Sequence, residues 1–277
     1  MIEIDSDRFR SQQLVANMYG RIYGGQLLAN ALGAAMQTAP WRPHTLHAFF
    51  LNSGSVAKPV AAAVSRMRDG RRFAHRRVDV TQEGRILLAA EVSFHQDEQR
   101  PAHQYAQMPR VPPPEELQTL EELVAYHGSR LSRQTAQRML SRTNVLIKPV
   151  DSMAGILEPT AQACLAIWLK PAGPISDRLE LRYCALAFMS DSWLNAACCS
   201  SLVDSVFDGS FEITSLNHAL WFHREPQVDD WLLYCVESPI VEGLRGLARG
   251  ALFDRDGHLV ASSAQEALLT PNPALQT

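Results

Sequence analysis

Gly25-Gln-Leu-Leu-Ala-Asn-Ala-Leu-Gly-Ala-Ala-Met36 is the stretch on which the fold turns. Leu27, Leu28, Ala31, Leu32, Ala35 and Met36 recur at three- and four-residue steps, which makes one side of a helix apolar. Four strand-like segments follow at 45–52, 59–68, 72–82 and 85–96, and Asp69-Gly70 and Glu83-Gly84 supply turns between the last three. A helix with an antiparallel sheet to receive its apolar face forms one layered unit.

The unit occurs twice. A second helix is expected near 178–199, followed by strands near 213–223, 230–238, 244–255 and 258–269, with Asp256-Gly257 as a hairpin turn. His47-Ala-Phe-Phe-Leu51 resembles His218-Ala-Leu-Trp-Phe222, and Gly84-Arg-Ile-Leu87 resembles Gly257-His-Leu-Val260. Two similar halves packed as an internal pseudo-dimer follow from such a duplication. Between them, His103 to Glu116 is polar and proline-rich, and a charged surface helix is expected from about Pro114 to Ser141. The expected division is residues 1–102, a linker over 103–144 that carries no chemistry, and residues 145–277.

With 46% hydrophobic and 20% charged residues, the chain has ample material for a core without staples. A net charge of −3 provides no overall basic field for nucleic acid. Apolar runs are too short and interrupted to span a bilayer as helices, and the acidic Met1–Arg8 start lacks an apolar core, so a cytoplasmic protein is expected. Cys164, Cys184, Cys198, Cys199 and Cys235 show no CxxC spacing and lie in apolar runs, which fits reduced core residues rather than disulfides or a metal site. His223-Arg-Glu225 fits a short zinc-deaminase pattern, but no paired cysteines follow it. No metal and no organic cofactor are expected.

Three polar side chains stand where the second half should bury carbon. Asp191 falls on the apolar stripe Cys184, Ala187, Phe188, Leu194, Cys198; Ser215 opens a strand; Gln265 interrupts Leu259–Leu269. An inward carboxylate is costly unless it is paired, hydrogen-bonded or used, so three such residues from three elements point to a site.

Several separated motifs also match a known family. They are Tyr23-Gly-Gly-Gln26, His44-Thr-Leu-His-Ala-Phe-Phe-Leu51, Arg68-Asp-Gly-Arg71 with Phe73, Ser190-Asp191, Asn217-His-Ala-Leu-Trp-Phe-His-Arg224, Trp231-Leu-Leu-Tyr234 with Glu237-Ser238, and Val260-Ala-Ser-Ser-Ala-Gln-Glu266. In that order they make the chain resemble the acyl-CoA thioesterase II family over nearly its whole length. The resemblance implies an α+β double hotdog, two antiparallel sheets each wrapped round a central helix. It implies hydrolysis of acyl-CoA to free fatty acid and coenzyme A. It also implies that Asp191, Ser215 and Gln265 hold the nucleophilic water. The family often has threonine at the middle position, where this chain has Ser215 with Thr214 beside it, and it favours Asp where this chain has Asn217.

A thioester needs no covalent enzyme nucleophile, only a placed and deprotonated water and a stabilised oxyanion. Unpaired backbone N–H groups at Gly24-Gly25, which opens the first helix, are candidates for the oxyanion; the alternative is merely a tight helix entry. Arg66, Arg68, Arg71, Arg72, Arg76 and Arg77 form a basic cluster. It is either a solvated hairpin face or a landing patch for coenzyme A phosphates, with Arg71 and Arg72 nearest the turn. His218 and His223, like His44 and His47, are expected to be core or surface histidines. A homo-oligomer is expected from sheet edges that seek partners. Two competing readings are a hotdog hydratase or dehydratase acting on enoyl- or hydroxyacyl-thioesters, and a non-catalytic acyl-CoA-binding module.

Overall fold

Short strands β1 (Ile2–Asp5) and β2 (Arg8–Ser11) precede helix α1 (Gly24–Met36) in the computed structural model, which describes residues 1–96, 98, 102–141, 144–151, 154–158 and 160–272. Residues 142–143 of the expected linker and the last five residues of the second half lie outside the described residues. Strands β3 (Arg42–Phe50), β4 (Val60–Asp69), β5 (Phe73–Gln82) and β6 (Arg85–His95) complete the first half. Helices α2 (Leu120–His127) and α3 (Arg133–Met139) lie in the connection. The second half comprises β7 (Val145–Pro149), β8 (Cys164–Pro171), α4 (Leu179–Ser190), α5 (Ala196–Cys199), β9 (Phe211–Ser215), β10 (Asn217–Phe222), β11 (Leu232–Glu242), β12 (Arg245–Phe253) and β13 (Leu259–Pro271).

Each half thus runs two strands, a long helix and then further strands, four in the first half and five in the second, where the short β9 precedes β10, so the repeat reaches further toward the start of each half than the sequence echo suggests. The order along the sheet is β1-β2-β4-β5-β6-β3, then β10-β13-β12-β11-β8-β7, with every pairing antiparallel. The second list is the first reversed, which is what a two-fold relation between the halves requires. The expected pair of sheets is thus joined edge to edge through β3 and β10.

The register at that joint carries the symmetry. Ala48 pairs with His218 and His47 with Ala219. Under the echo, His47 corresponds to His218 and Ala48 to Ala219, so each residue pairs with its neighbour's counterpart. This is the self-complementary pairing of an isologous dimer, here built within one chain.

Helices α1 and α4 pack against each other inside the sheet. On α1, Leu28, Ala31, Leu32, Ala34 and Ala35 have no exposed surface, and they share one apolar cluster with residues of both halves. Gly33 allows the close approach, since a Cβ there would stand 3.1 Å from Cys184 Sγ.

Two expectations about helices are corrected. The helix expected over 178–199 ends at Ser190, Asp191 is its C-cap, and Trp193 adopts a left-handed φ of 65° before α5 begins. The continuous helix expected over 114–141 is broken into α2 and α3. Thr119 and Glu122 form a capping box that starts α2, and the Ser132 side chain caps α3 by accepting from Thr135 N–H. Upstream, the connection crosses the outer face of the second half-sheet. There Trp168 Nε1 donates to Pro112 O at 3.0 Å and Lys148 Nζ to Pro114 O at 2.8 Å.

Candidate active site

The break after Ser190 is what delivers Asp191 to the site. The α1 N-terminus has no cap of its own: Tyr23 makes no side-chain cap bond and the first turn holds no acid. Asp191 supplies the missing partner from another element, its Oδ2 accepting from Gly25 N–H at 2.9 Å. The positive end of α1 favours the carboxylate, whereas the C-terminus of α4 disfavours it. Only 7% of Asp191 remains exposed.

Glycine is needed at both positions of this approach. A Cβ on Gly24 would lie 2.7 Å from Asp191 Oδ2, and one on Gly25 would lie 2.3 Å from Phe188 O. The Gly24 N–H makes no hydrogen bond among the described residues.

Gln265 reaches Asp191 from β13, where Ser263, Gln265 and Ala267 alternate onto the inner face. Its Nε2 donates to Asp191 Oδ1 at 3.0 Å and to Ser215 Oγ at 2.8 Å, which uses both amide protons. Ser215 Oγ also accepts from Asn195 Nδ2 at 3.0 Å. With two N–H groups on the Ser215 oxygen, its own hydroxyl proton is left to donate elsewhere.

Ser215 faces inward because of a bulge. Ala219 pairs with Ala264 and Ser215 with Ala267, so four steps on the β9–β10 side match three on β13. The extra residue lies around Leu216, where Leu216 N–H donates to Glu266 O and Asn217 Oδ1 accepts from Glu266 N–H. Strict alternation would have put Thr214 inside with His218 and turned Ser215 out. Instead Ser215 stands opposite the buried Ala267, and Thr214 is exposed.

Behind Gln265 sits His218, 1% exposed. Its Nδ1 hydrogen-bonds Gln265 Oε1, and its Nε2 lies 3.0 Å from Ser190 Oγ. Burial pushes the imidazole below its ordinary pKa, against the opposing pull of Asp191 and the Gln265 bond. Tyr234 OH donates to Ser190 O at 2.7 Å and fixes the end of α4.

Asp191 and Ser215 open onto a cavity of about 440 Å³. Gly24 and Asn195 share its wall, and Leu27, Trp193, Phe207, Met139 and Leu120 make part of it apolar. The connecting helices α2 and α3 thus furnish side chains to the site, although the linker was expected to stand apart from it.

The structure brings Asp191, Ser215, Gln265, Gly24 and Gly25 together, and adds Asn195, Ser190 and His218, which sequence reasoning left out. An orphan polar atom marks Asn195: its Oδ1 is buried without a hydrogen-bond partner. Arg71 and Arg72 are not in the group. They adjoin the Phe73 end of β5, which pairs through His95 to Arg42, whereas the cavity begins at Phe50. Those ends of β3 are roughly 27 Å apart at the rise of an extended strand. The basic cluster is largely paired within itself and its neighbours: Arg66 with Asp7, Arg77 with Asp79, Arg72 with Glu98, and buried Arg76 with Asp69 and Thr38.

Among the described residues, no helix is long and apolar enough to cross a membrane. Asp254, Asp256 and His258 are the one group of three potential metal ligands among them; they lie at the partly exposed β12–β13 turn, away from the cavity.

Residues 14–95 match the profile of the acyl-CoA thioesterase N-terminal domain, and residues 114–269 match that of the C-terminal domain. Acyl-coenzyme A thioesterase 8 of Mus musculus is 31% identical over 98% of this chain and 87% of its own length. Acyl-CoA thioesterase 2 of Haemophilus influenzae is 29% identical, covering 91% of this chain and 88% of its own. The crystal structure of acyl-CoA thioesterase II TesB2 from Mycobacterium marinum superposes with a TM-score of 0.78 at 28% identity, over 99% of this chain and 96% of that one. Both domains are matched in order across a duplicated fold with one polar cluster at an apolar cavity, and the chain belongs to the acyl-CoA thioesterase family.

Proposed function

We propose that this protein hydrolyses fatty acyl-CoA to free fatty acid and coenzyme A with a water held by Asp191 and Ser215 and positioned through Gln265. The observation that carries the reading is the Asp191–Gln265–Ser215 hydrogen-bonded cluster at the wall of an apolar-lined cavity. Each Asp191 oxygen accepts one N–H and keeps a lone pair, so the carboxylate can take a proton from water. The spare Ser215 hydroxyl proton donates to the water oxygen, and Asn195 Nδ2 helps to hold the Ser215 oxygen in place.

The water oxygen bonds to the thioester carbon as its proton passes to Asp191. The unpaired Gly24 N–H is the candidate donor to the oxyanion, since Gly25 N–H is committed to Asp191. Collapse breaks the C–S bond, and the proton held by Asp191 neutralises the departing thiolate. The acyl chain lies along Leu27, Phe207, Leu120 and Met139.

A cytoplasmic homo-oligomer completes the reading. The cysteines among the described residues are all free, as a reducing compartment allows. Phe49, 61% exposed, and Leu51, 53% exposed, stand at the end of β3 as apolar side chains for a partner copy.

Thiol release from acyl-CoAs of graded chain length tests the activity. Turnover with stoichiometric free acid is expected. Saturable binding without thiol release at every length would favour the binding module.

A further inference from the structure

We propose that His218 is a positioning residue that locks the side-chain amide of Gln265 in its working orientation. The inference rests on the hydrolytic reading above and adds the group that makes the cluster directional. An amide can occupy its site in either of two orientations. In one, Nε2 faces Asp191 and Ser215; in the other, Oε1 does. The two shapes are nearly identical, so hydrogen-bond partners decide between them.

Asp191 alone would favour the first orientation, but the far end of the amide must also be satisfied, because Gln265 is fully buried. His218 Nδ1 is the atom at that end. With a proton on Nδ1, it donates to Oε1 and opposes the flip. On the other side of the ring, Ser190 Oγ lies 3.0 Å from Nε2 and 2.9 Å from Ala187 O; with its one proton turned to Nε2 rather than to that carbonyl, it leaves the proton of the neutral imidazole on Nδ1. The relay Ser190–His218–Gln265 therefore ends with both amide protons aimed at Asp191 and Ser215. His218 has no exposed path to substrate and transfers no proton in the reaction; it acts through Gln265.

The test compares His218→Asn with His218→Leu. Asparagine and leucine have similar size, but only asparagine can donate near the Nδ1 position. Expected for H218L is a fall in kcat on the order of ten- to a hundred-fold, the worth of one hydrogen bond to a charged group. KM is expected to stay within about threefold, a kcat-only loss. H218N should recover most of the loss. In a Gln265→Ala background H218L should cost nothing further, because nothing remains to orient.

Equal kcat in H218N and H218L, or additive losses in the double variant, would overturn the inference and leave His218 a packing residue. Should H218L fail to fold, Ser190→Ala decides: a kcat loss with KM retained that vanishes in the Gln265→Ala background supports the relay, and an additive loss refutes it. An inactive wild-type protein would instead defeat the hydrolytic reading itself.

Discussion

Replacing Asp191 with asparagine keeps the shape of the side chain and removes its charge and basicity. Two N–H donors converge on the carboxylate, Gly25 N at 2.9 Å and Gln265 Nε2 at 3.0 Å. Asparagine can accept from only one of them, so its own NH2 must face the other. One buried donor left unsatisfied costs about 1–3 kcal/mol. Removing the charge relieves the C-terminus of α4 by about 0.3–1 kcal/mol but forfeits a similar amount at the N-terminus of α1, so the two helix ends nearly cancel. The net loss is at most about 3 kcal/mol, which in a chain of this size lowers Tm by no more than roughly 6–12 °C. Catalysis should suffer far more. Loss of a general base lowers kcat by about 10²–10⁴-fold, while the apolar wall that holds the acyl chain is untouched. The assay is thiol release under saturating acyl-CoA, with binding of the same substrate measured separately. If Asp191→Asn retains more than about a tenth of wild-type kcat, Asp191 is not the base and the water-holding scheme is wrong.

Three further predictions follow from contacts at the same site. Gly24→Ala should fold and lose activity, because its Cβ would displace the Asp191 carboxylate, whereas Gly25→Ala should lose stability, because its Cβ would meet the fixed Phe188 carbonyl. Equal Tm and equal kcat for the two variants would contradict both assignments. Met139→Trp, which fills the α3 side of the cavity, should lower turnover of long-chain relative to short-chain acyl-CoA. An unchanged chain-length profile would remove α3 from the acyl wall. Burial holds His218 and His223 below the usual imidazole pKa, so the unfolded chain binds more protons than the folded one just below pH ~6.5. Their contribution is fully present above that pH and is lost as pH falls toward the folded-state values. The urea midpoint should therefore drop on acidification, and less so in His218→Asn; equal slopes would refute the His218 share.

What was legible in the sequence divides along physical lines. Helix α1 and strands β3–β6 show because a helix covered by a sheet on one side writes its period into Leu27–Met36, and because hairpins need their turn residues. β1 escaped notice since it is only four residues long and both faces of Ile2-Glu3-Ile4-Asp5 are exposed, so its short alternation marks no buried side. The α4 break was hidden because Leu194 and Cys198 continue the helical spacing although they belong to a new turn and to α5; only the left-handed Trp193 reveals the change. The bulge at Leu216 is similarly silent. One inserted residue reverses the inward phase, so the choice of Ser215 rested on the family resemblance, and strict alternation with His218 would have pointed to Thr214. Arg71 and Arg72 attracted attention by local density of charge, a property of the β4–β5 hairpin that says nothing about distance to Asp191. His218 was set aside because its role lies entirely in the partner it orients.

In this scheme water, not a side chain, attacks the thioester. Rapid-quench analysis of the wild-type protein with a good acyl-CoA substrate tests it directly when free thiol, free acid and protein mass are followed together. Coenzyme A and fatty acid are expected to appear in step, without a burst, and the 30.8 kDa chain never to gain mass. A burst of about one thiol per active site, with an acyl group recovered on Ser215, would contradict it.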